Sequence, residues 1–405
     1  MTFNVGDVTN KRVAVVAAGV VSPLGLGLAE TLETLRVARD CVEPVTRFDV
    51  DRCRCKTAAQ VREEGFRPVG SGSSANRLHP ASNMMIRALK EALQQDRIFR
   101  PQLTVIGTTS GGMSFGEKYY RALSGHADLQ KSPRWIANYP PQKPVTDALD
   151  ALQLDGPCQV IANACASGTN AIGHAFHCIR SGRYQRVLAG GYDALCELVF
   201  VGFDSLQAAT PDKCRPFDAD RTGMVLGEGA AVLALEEWTC AQQRGAKILA
   251  EISGYGISTD NHHLTQPNPS GVGPRMAMEQ ALKSASLDVD EVDYINAHGT
   301  ATPFNDSAEA KAIRDLFPTG VPVSSTKSMM GHSLGAAGAI EAIVCILALN
   351  HGFLPPNINF TKPGTDIDLD IVANRCRDQE IHTALSNSFG FGGTNASVVL
   401  QSARP

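Results

Sequence analysis

The sequence predicts an α/β fold in which buried, mostly parallel strands alternate with helices. Short runs of β-branched residues recur along the chain, and segments with helical periodicity separate them. The composition, 43% hydrophobic with 37 glycines, indicates a large core and many tight turns. At 405 residues the chain is too long for one ordinary domain and fits two or three, or one duplicated architecture.

Each strand is predicted from a short apolar or β-branched run, and each helix from apolar residues that recur at helical spacing. The predicted strands, in chain order, are Val13–Val16, Leu103–Ile106, Gln159–Ile161, Arg186–Ala189, Ala230–Leu235, Ile248–Gly254, Tyr294–Asn296, Val321–Ser324 and Ala396–Leu400. The predicted helices are Ser82–Gln94, Asn170–Arg180, Pro274–Ala285, Ser307–Leu316 and Ala336–Leu349.

Two stretches share one pattern of strand, small-residue turn and helix. They are CQVIANACASG from residue 158 and VPVSSTKSMMGHSLGAAG from residue 321, and the helix after each ends at a glycine, which suits a left-handed cap. We therefore expect two related halves, residues 1–250 and 251–405, whose turn regions face each other. The first half carries a candidate nucleophile and the second carries two histidines.

Charge and cysteine content exclude several classes of protein. The formal net charge of −4 gives no global field for nucleic acid or an anionic membrane, and no apolar run reaches the roughly 20 residues of a membrane span. The 11 cysteines are scattered and odd in number, so we expect a reducing, cytoplasmic location rather than a disulfide framework. Cys53 and Cys55 form a close pair without nearby partners, so no metal site is predicted.

Cys165 lies where a predicted strand turns into a helix. A helix N-terminus favours the thiolate and lowers a cysteine pKa, and small neighbours leave the sulfur accessible to a bulky thioester. A buried, unreactive cysteine fits this stretch alone equally well.

Three further stretches favour chemistry. YINAHGTATPFND contains His298, SSTKSMMGHSLGAAG contains Lys327 and His332, and each histidine follows a strand in a Gly-rich turn. In SNSFGFGGTNAS, residues 386–397, the glycines permit close approach of a ligand, and Phe389 and Phe391 are candidates to gate an apolar tunnel. The loop lacks the lysine and spacing of a phosphate loop, which argues against nucleotide binding.

Together these motifs resemble the β-ketoacyl-acyl-carrier-protein synthases, condensing enzymes of the thiolase superfamily. The resemblance covers nearly the whole chain, from VVSPLG at 20–25 through CRPFDADRTGMVLGEGA at 214–230 to the C-terminal loop. It implies a thiolase-like duplicated fold with αβαβα layers and two mixed sheets. It also implies transfer of an acyl chain to Cys165, followed by decarboxylative condensation with malonyl-acyl-carrier protein.

The resemblance implies a role for each matching residue. His298 and His332 would polarise the malonyl thioester carbonyl, and Lys327, supported by Glu341, would orient the catalytic groups. The remaining implied roles are an oxyanion hole from the backbone N–H groups of Cys165 and Phe389, a gate at Phe389, pantetheine binding by Thr300, Thr302 and Thr265, and an acyl pocket at Ser110. No cofactor is implied, because both substrates arrive on the phosphopantetheine of the carrier protein.

The resemblance leaves the pathway open. Ser110 replaces the bulkier aliphatic residue usual in type II enzymes of fatty-acid synthesis, so a polyene or polyketide chain is as compatible as a fatty acid. A non-decarboxylating thiolase would carry a second cysteine in the Gly-rich loop, where this chain has none. A hydrolase built on Cys165 and His298 lacks a motif carboxylate to orient the histidine. A non-catalytic chain-length-factor-like subunit would lack the nucleophile.

The implied partners are an acidic acyl carrier protein and a second subunit. We expect a homodimer, with a heterodimer containing a chain-length-factor-like subunit as the alternative. A local cluster of cations would receive the carrier protein, and the candidates are Arg52, Arg54, Lys56, Lys213 and Arg215. For each of them an ordinary solvated surface charge is the competing interpretation.

Overall fold

A computed structural model describes residues 11–65, 78–125 and 132–403 of the chain. Its strands are β1 (Val13–Val21), β2 (Val42–Pro44), β3 (Thr57–Ala59), β4 (Leu103–Gly107), β5 (Cys158–Ile161), β6 (Arg186–Asp193), β7 (Gly229–Glu237), β8 (Ala250–Thr259), β9 (Tyr294–Asn296), β10 (Pro322–Ser324), β11 (Phe353–Leu354), β12 (Asp370–Ile371), β13 (Arg377–Asp378), β14 (Thr383–Gly390) and β15 (Thr394–Gln401). Its α-helices are α1 (Leu28–Arg36), α2 (Pro80–Gln95), α3 (Met113–Leu123), α4 (Ser132–Ala137), α5 (Lys143–Ala151), α6 (Ser167–Arg180), α7 (Glu197–Ser205), α8 (Trp238–Gln243), α9 (Val272–Ala285), α10 (Pro303–Leu316), α11 (Lys327–Met330) and α12 (Ala337–His351).

The two halves of the chain repeat one strand order. The first half is ordered β5-β4-β6-β7-β1 and the second β10-β9-β14-β15-β8, with parallel pairs at the start of each order and antiparallel pairs at its end. Each half therefore contains a mixed sheet, as predicted. The two are not separate, because Val13–Val15 of β1 pairs with Ala250–Ile252 of β8 and makes one 11-stranded sheet. The repeated strand order is consistent with two halves, residues 1–250 and 251–405. The boundary between them remains a prediction.

Helices α6 and α12 form the central layer of the fold. Both contribute to the largest apolar cluster together with residues of both sheet halves, while α2 and α5 cover the outer face of the first half and α9 and α10 that of the second. Among the described residues one helical segment, Leu334–His351, is apolar and long enough to cross a membrane, and 89% of it is buried inside the protein. Its hydrophobic character is that of a core helix.

Every predicted strand and helix is present; β9 has its predicted bounds and the others have at least one shifted end. The sequence prediction missed β14, because it treated residues 386–397 as a Gly-rich loop. These residues form a hairpin in which β14 and β15 pair from Thr383↔Gln401 to Gly390↔Thr394. Because β14 contains several polar residues, the sequence pattern does not indicate a buried strand. Inside the protein Ser388 forms a 2.7 Å hydrogen bond with Thr169 of α6, so its hydroxyl is not left without a partner.

Candidate active site

Cys165 lies two residues before the first residue of α6. Ala164, which precedes it, has a left-handed backbone (φ 56°), and its carbonyl accepts a 2.6 Å hydrogen bond from Ser167 Oγ. A non-glycine residue in this region is uncommon and is held there by its surroundings. The bend presents the thiol, which is 5% exposed, at the start of the helix.

Burial raises the pKa of the Cys165 thiol to about 12. The charge of Lys327 and the backbone N–H groups of Phe391 and Cys165 oppose this effect, while the carboxylate of Asp193 adds to it. The backbone N–H groups therefore lower the pKa as expected, but the net shift is upward because loss of solvation outweighs them. The sulfur is protonated at neutral pH, and its attack on a thioester requires a group that takes the proton.

His298 and His332 provide two neutral imidazoles beside the thiol. Their ring centroids are 5.3 Å apart and their planes are 84° to each other. Burial, and then the charge of Lys327, lowers the pKa of both rings well below the usual 6.5. Leu334 N donates to His332 Nδ1 at 3.3 Å, so the ring proton lies on Nε2. Within the described part of the chain this Nε2 has no partner, which leaves it free to donate to a substrate oxygen.

Glu309 supports the turn that carries His298. Its carboxylate, on α10, accepts hydrogen bonds of 2.8 Å from the backbone N–H groups of His298 and Gly299. Burial raises the pKa of Glu309 to about 7, against these hydrogen bonds. Sequence reasoning missed this residue, although an acid between Ala308 and Ala310 on an apolar stretch of helix was an available signal.

Lys327 and Glu341 form an ion pair whose side chains are completely buried. Lys327 is the first residue of α11 and Glu341 lies on α12, so the predicted pairing is present. Desolvation raises the pKa of Glu341 to about 7, although the lysine charge acts in the opposite direction. The lysine places a positive charge near the thiol and both imidazoles, and it lowers the pKa of all three groups.

The thiol and the two imidazoles line one cavity of about 310 Å³, a size typical of ligand sites. Cys165, His298 and His332 share it with the predicted pantetheine ligands Thr300, Thr302 and Thr265. The hydroxyls of Thr300 and Thr302 are 2.8 Å apart and hydrogen-bonded. Leu206, Leu264 and Phe304 line the same cavity and are 58–75% exposed, so they mark its apolar opening to solvent.

Comparison with known proteins identifies the family. Residues 10–241 match the family described as "Beta-ketoacyl synthase, N-terminal domain", and residues 249–361 match "Beta-ketoacyl synthase, C-terminal domain". The chain belongs to the β-ketoacyl synthase family. It is therefore a condensing enzyme of the acyltransferase type.

Individual relatives cover almost the full length. The chain is 38% identical to 3-oxoacyl-[acyl-carrier-protein] synthase 2 of Coxiella burnetii, over 96% of this chain and 98% of the relative. The solved ishigamide ketosynthase/chain length factor has a TM-score of 0.90 at 33% identity, covering 98% and 100% of the two chains. The type II polyketide synthase complex AntDE:AntF, a ketosynthase with its acyl-carrier protein, has a TM-score of 0.88 at 28% identity, with the same coverage.

The structure corrects the roles expected of Phe389 in this β-ketoacyl synthase. The second backbone N–H that faces the Cys165 sulfur belongs to Phe391, not to Phe389. Phe389 is the penultimate residue of β14, is 5% exposed, and packs its ring against His298 with centroids 5.7 Å apart. Phe391 is half-buried in the hairpin turn, lines the cavity and contacts Phe203. The geometry favours Phe391 as the gate.

Ser110 is also placed differently from the prediction. Its side chain does not line the cavity that contains Cys165. Instead its hydroxyl donates to Asp193 Oδ1 at 2.6 Å, and its backbone N–H donates to the same oxygen at 2.8 Å. The Ser110 hydroxyl therefore serves as a hydrogen-bond donor to the buried Asp193 carboxylate, which a bulky aliphatic side chain could not do.

Four of the five candidate docking cations have partners within the chain. These are Arg54 with Asp204, Lys56 with the carbonyls of Val50 and Asp51, Lys213 with Asp40, and Arg215 with Asp212. Arg52 is exposed. It lines, with Arg54, a surface hollow of about 640 Å³ that shares Gln207 with the wall of the active cavity.

Proposed function

We propose that the protein is a β-ketoacyl-acyl-carrier-protein synthase that extends an acyl chain by two carbons. The observation that supports this is the meeting of one thiol and two neutral imidazoles, Cys165, His298 and His332, in a single cavity with an apolar opening. Two donors beside one nucleophile suit decarboxylative condensation, in which negative charge develops on a thioester oxygen.

In the first step Cys165 Sγ attacks the thioester carbonyl of an acyl-carrier protein. The new S–C bond forms as the bond to the phosphopantetheine sulfur breaks, and the thiol proton passes to an imidazole and then to the leaving thiol. The backbone N–H groups of Cys165 and Phe391 would stabilise the tetrahedral oxyanion. Burial keeps the imidazole neutral, so one ring nitrogen has a lone pair for the proton, although the lowered pKa makes the ring a weak base that holds the proton only until the leaving sulfur takes it.

In the second step malonyl-carrier protein occupies the same cavity. His298 and His332 would donate hydrogen bonds to its thioester oxygen as the carbon–carboxylate bond breaks and carbon dioxide leaves. The resulting enolate carbon attacks the acyl group on Cys165, the S–C bond breaks to leave a thiolate that takes up one proton from solvent, and the β-ketoacyl thioester is released on the carrier. Lys327 has no contact with substrate in this scheme and positions the site through Glu341.

The pantetheine arm would enter past Leu264 and Phe304 and meet the hydroxyls of Thr300, Thr302 and Thr265. As proposed, the reaction uses no dissociable cofactor and no metal, because a thiol, two imidazoles and backbone N–H groups supply the nucleophile and the donors. The carrier protein would dock beside the exposed Arg52, at the rim of a hollow that also contains the Arg54–Asp204 pair and the carboxylates of Asp49 and Glu197. Free cysteines throughout the chain support a reducing, cytoplasmic location.

A homodimer is the proposed assembly. Strand β5 forms one edge of the 11-stranded sheet and is only partly buried, so its free backbone groups can pair with another chain. Tyr120, Leu123 and Leu198 are 58–71% exposed on α3 and α7. A heterodimer with a chain-length-factor-like subunit is the alternative. Light scattering of the purified protein would show a mass near twice 43.1 kDa for the homodimer.

Mass spectrometry of the intact protein tests the proposed activity. After incubation with an acyl-carrier-protein thioester, the wild type should gain one acyl mass and Cys165→Ala none. Addition of malonyl-carrier protein should then release a product two carbons longer. Acylation of Cys165→Ala would contradict the assignment of the nucleophile, and a wild type that never accepts acyl would favour a non-catalytic subunit. A panel of saturated, polyene and polyketide donors would identify the pathway.

A further inference from the structure

Asp193 is a buried carboxylate that no step of the proposed mechanism uses. It is the last residue of β6 and has no exposed surface. Oδ1 accepts from Thr108 Oγ1 at 2.9 Å and from the backbone N–H and hydroxyl of Ser110. Oδ2 accepts from the backbone N–H groups of Thr109 at 2.8 Å and Gly335 at 2.7 Å. Five donors exceed the roughly four lone-pair sites of a carboxylate, so the group is saturated.

The Gly335 hydrogen bond joins the two halves of the molecule. A Cβ added at Gly335 would lie 2.7 Å from Thr108 Cα and from Thr109 N, so only glycine allows this approach. The Gly335 carbonyl is equally close to the first half, since Cβ atoms added at Gly168 or Gly191 would lie 2.7 and 2.5 Å from it. Residue 335 is therefore tightly enclosed by α6, β6 and the turn after β4.

His332 lies three residues before this contact and is held from both sides. Its backbone N–H donates to Val225 O at 2.7 Å, and its carbonyl accepts from Gly227 N at 2.9 Å. Its ring is oriented by the N–H of Leu334, a residue with a left-handed backbone (φ 53°). Such a conformation is unfavourable for leucine and needs neighbours that hold it. The next residue, Gly335, provides one such anchor through Asp193.

We propose that Asp193 is a positioning residue for His332: by holding Gly335 N it fixes the turn whose Leu334 N–H orients the imidazole. The inference rests on the donor role proposed for His332. It assigns to Asp193 a part in decarboxylation rather than in acyl transfer, although the residue touches neither substrate. The second step of the reaction should therefore depend on Asp193 more strongly than the first.

The test is Asp193→Asn, which keeps the shape and directs an amide NH₂ at a backbone N–H group. Acyl transfer to Cys165 and decarboxylation of malonyl-carrier protein are measured separately. We expect decarboxylation to fall about tenfold or more, because a charge-assisted hydrogen bond is lost and a donor left unpaired. Acyl transfer should not fall by more than about threefold, because loss of the Asp193 charge acts to lower, not raise, the pKa of the Cys165 thiol. Ser110→Ala, the matched control, removes one donor from the same carboxylate and leaves Gly335 in place, so both rates should stay within about twofold.

A double-mutant cycle with His332→Ala separates positioning from general damage. If Asp193 acts through His332, adding Asp193→Asn to His332→Ala should lower decarboxylation by less than about twofold further. Additive losses, a parallel fall of acyl transfer, or an unchanged decarboxylation rate would overturn the inference. If His332→Ala alone decarboxylates normally, the donor role of His332 fails instead. Should Asp193→Asn not fold, Asp193→Ser, which adds no atoms to this packed site and cannot accept from all of the donors, must give the same selective loss.

Discussion

The imidazole rings of His298 and His332 meet edge to face, with their centroids 5.3 Å apart. One ring follows β9 and the other follows α11, and both reach the cavity from the second half of the chain while the thiol comes from the first. Because burial keeps both rings neutral, the site offers two N–H donors without placing a second positive charge beside Lys327.

Both rings should remain neutral in mildly acidic solution. A lowered pKa means that an imidazole is neutral at every pH above that value, so acidification from about pH 8 to 6 should not protonate either ring. Nitrogen NMR of ¹⁵N-histidine-labelled protein should show no titration of the two sites over that range. His298→Asn and His332→Asn assign the signals. A transition centred near the ordinary histidine pKa for either ring would contradict the burial argument.

Breaking the buried ion pair should destabilise the protein strongly. Lys327→Met leaves Glu341 buried without its partner, and we expect the free energy of unfolding to fall by about 3–5 kcal/mol. The double variant Lys327→Met/Glu341→Leu should recover most of that loss in urea unfolding, since it buries no unpaired charge. Its condensing activity should stay low, because the lysine charge no longer acts on the thiol and imidazoles. Recovery of activity with stability would show that the pair serves the fold alone.

The two phenylalanines of the hairpin should respond differently to truncation. Phe391→Ala removes a half-buried ring from the cavity wall, so we expect faster alkylation of Cys165 by iodoacetamide and faster hydrolysis of the acyl-enzyme, with little change in stability. Phe389→Ala should instead cost about 3–5 kcal/mol, because its ring is packed against His298 in the core. If Phe389→Ala were the variant that exposes the thiol while folding normally, the assignment of the gate to Phe391 would be wrong.

Glu309 should be required for the turn that bears His298. Glu309→Ala leaves the N–H groups of His298 and Gly299 without their acceptor, and each buried unpaired donor costs about 1–3 kcal/mol. We expect a lower unfolding free energy together with slower malonyl decarboxylation. Glu279→Ala, which removes a partly exposed acid from α9, is the control and should change neither. Equal behaviour of the two variants would remove Glu309 from the site.

Docking of the carrier protein should depend on Arg52. Arg52→Glu should raise the KM for malonyl-carrier protein, and added salt should weaken wild-type turnover, because exposed charges are screened beyond about 10 Å at 0.1 M salt. Turnover of malonyl-pantetheine, which carries no protein, should be unaffected. Arg97→Glu makes the same charge change at an exposed turn after α2 and should leave KM unaltered. A salt-independent KM would count against the hollow as the docking site.

The sequence was sufficient for the parts of the site that follow directly from a strand. Cys165 and His298 each come within four residues of a strand end, His332 follows the short helix α11, and the small neighbours of all three indicate turns. The choice between Phe389 and Phe391 needed the end of β14, because both rings line the cavity but Phe389 lies within the strand against His298 and Phe391 lies in the turn beyond it. Nothing local in FGFGG distinguishes the two.

Contacts between residues far apart in the sequence explain the other differences between the predicted and the observed site. Ser110 was expected to face the acyl chain, but its acceptor Asp193 is 83 residues away in sequence. The raised pKa of Cys165 likewise results from burial by segments of both halves, whereas the helix start that suggested a lower value is local. Residue type and spacing therefore predict which elements meet, while side-chain direction and solvation depend on the assembled interior.

The pairing of β1 with β8 has a consequence for how the enzyme can be altered. A one-residue slip in that antiparallel ladder would turn every side chain of a strand to the opposite face, so the halves have a single allowed alignment. The relative offset of the two similar sheets is thus set by main-chain hydrogen bonds rather than by side chains in the cavity. Residues that line the cavity walls can therefore be exchanged, and the substrate preference changed, without altering the distances between the thiol and the two imidazoles.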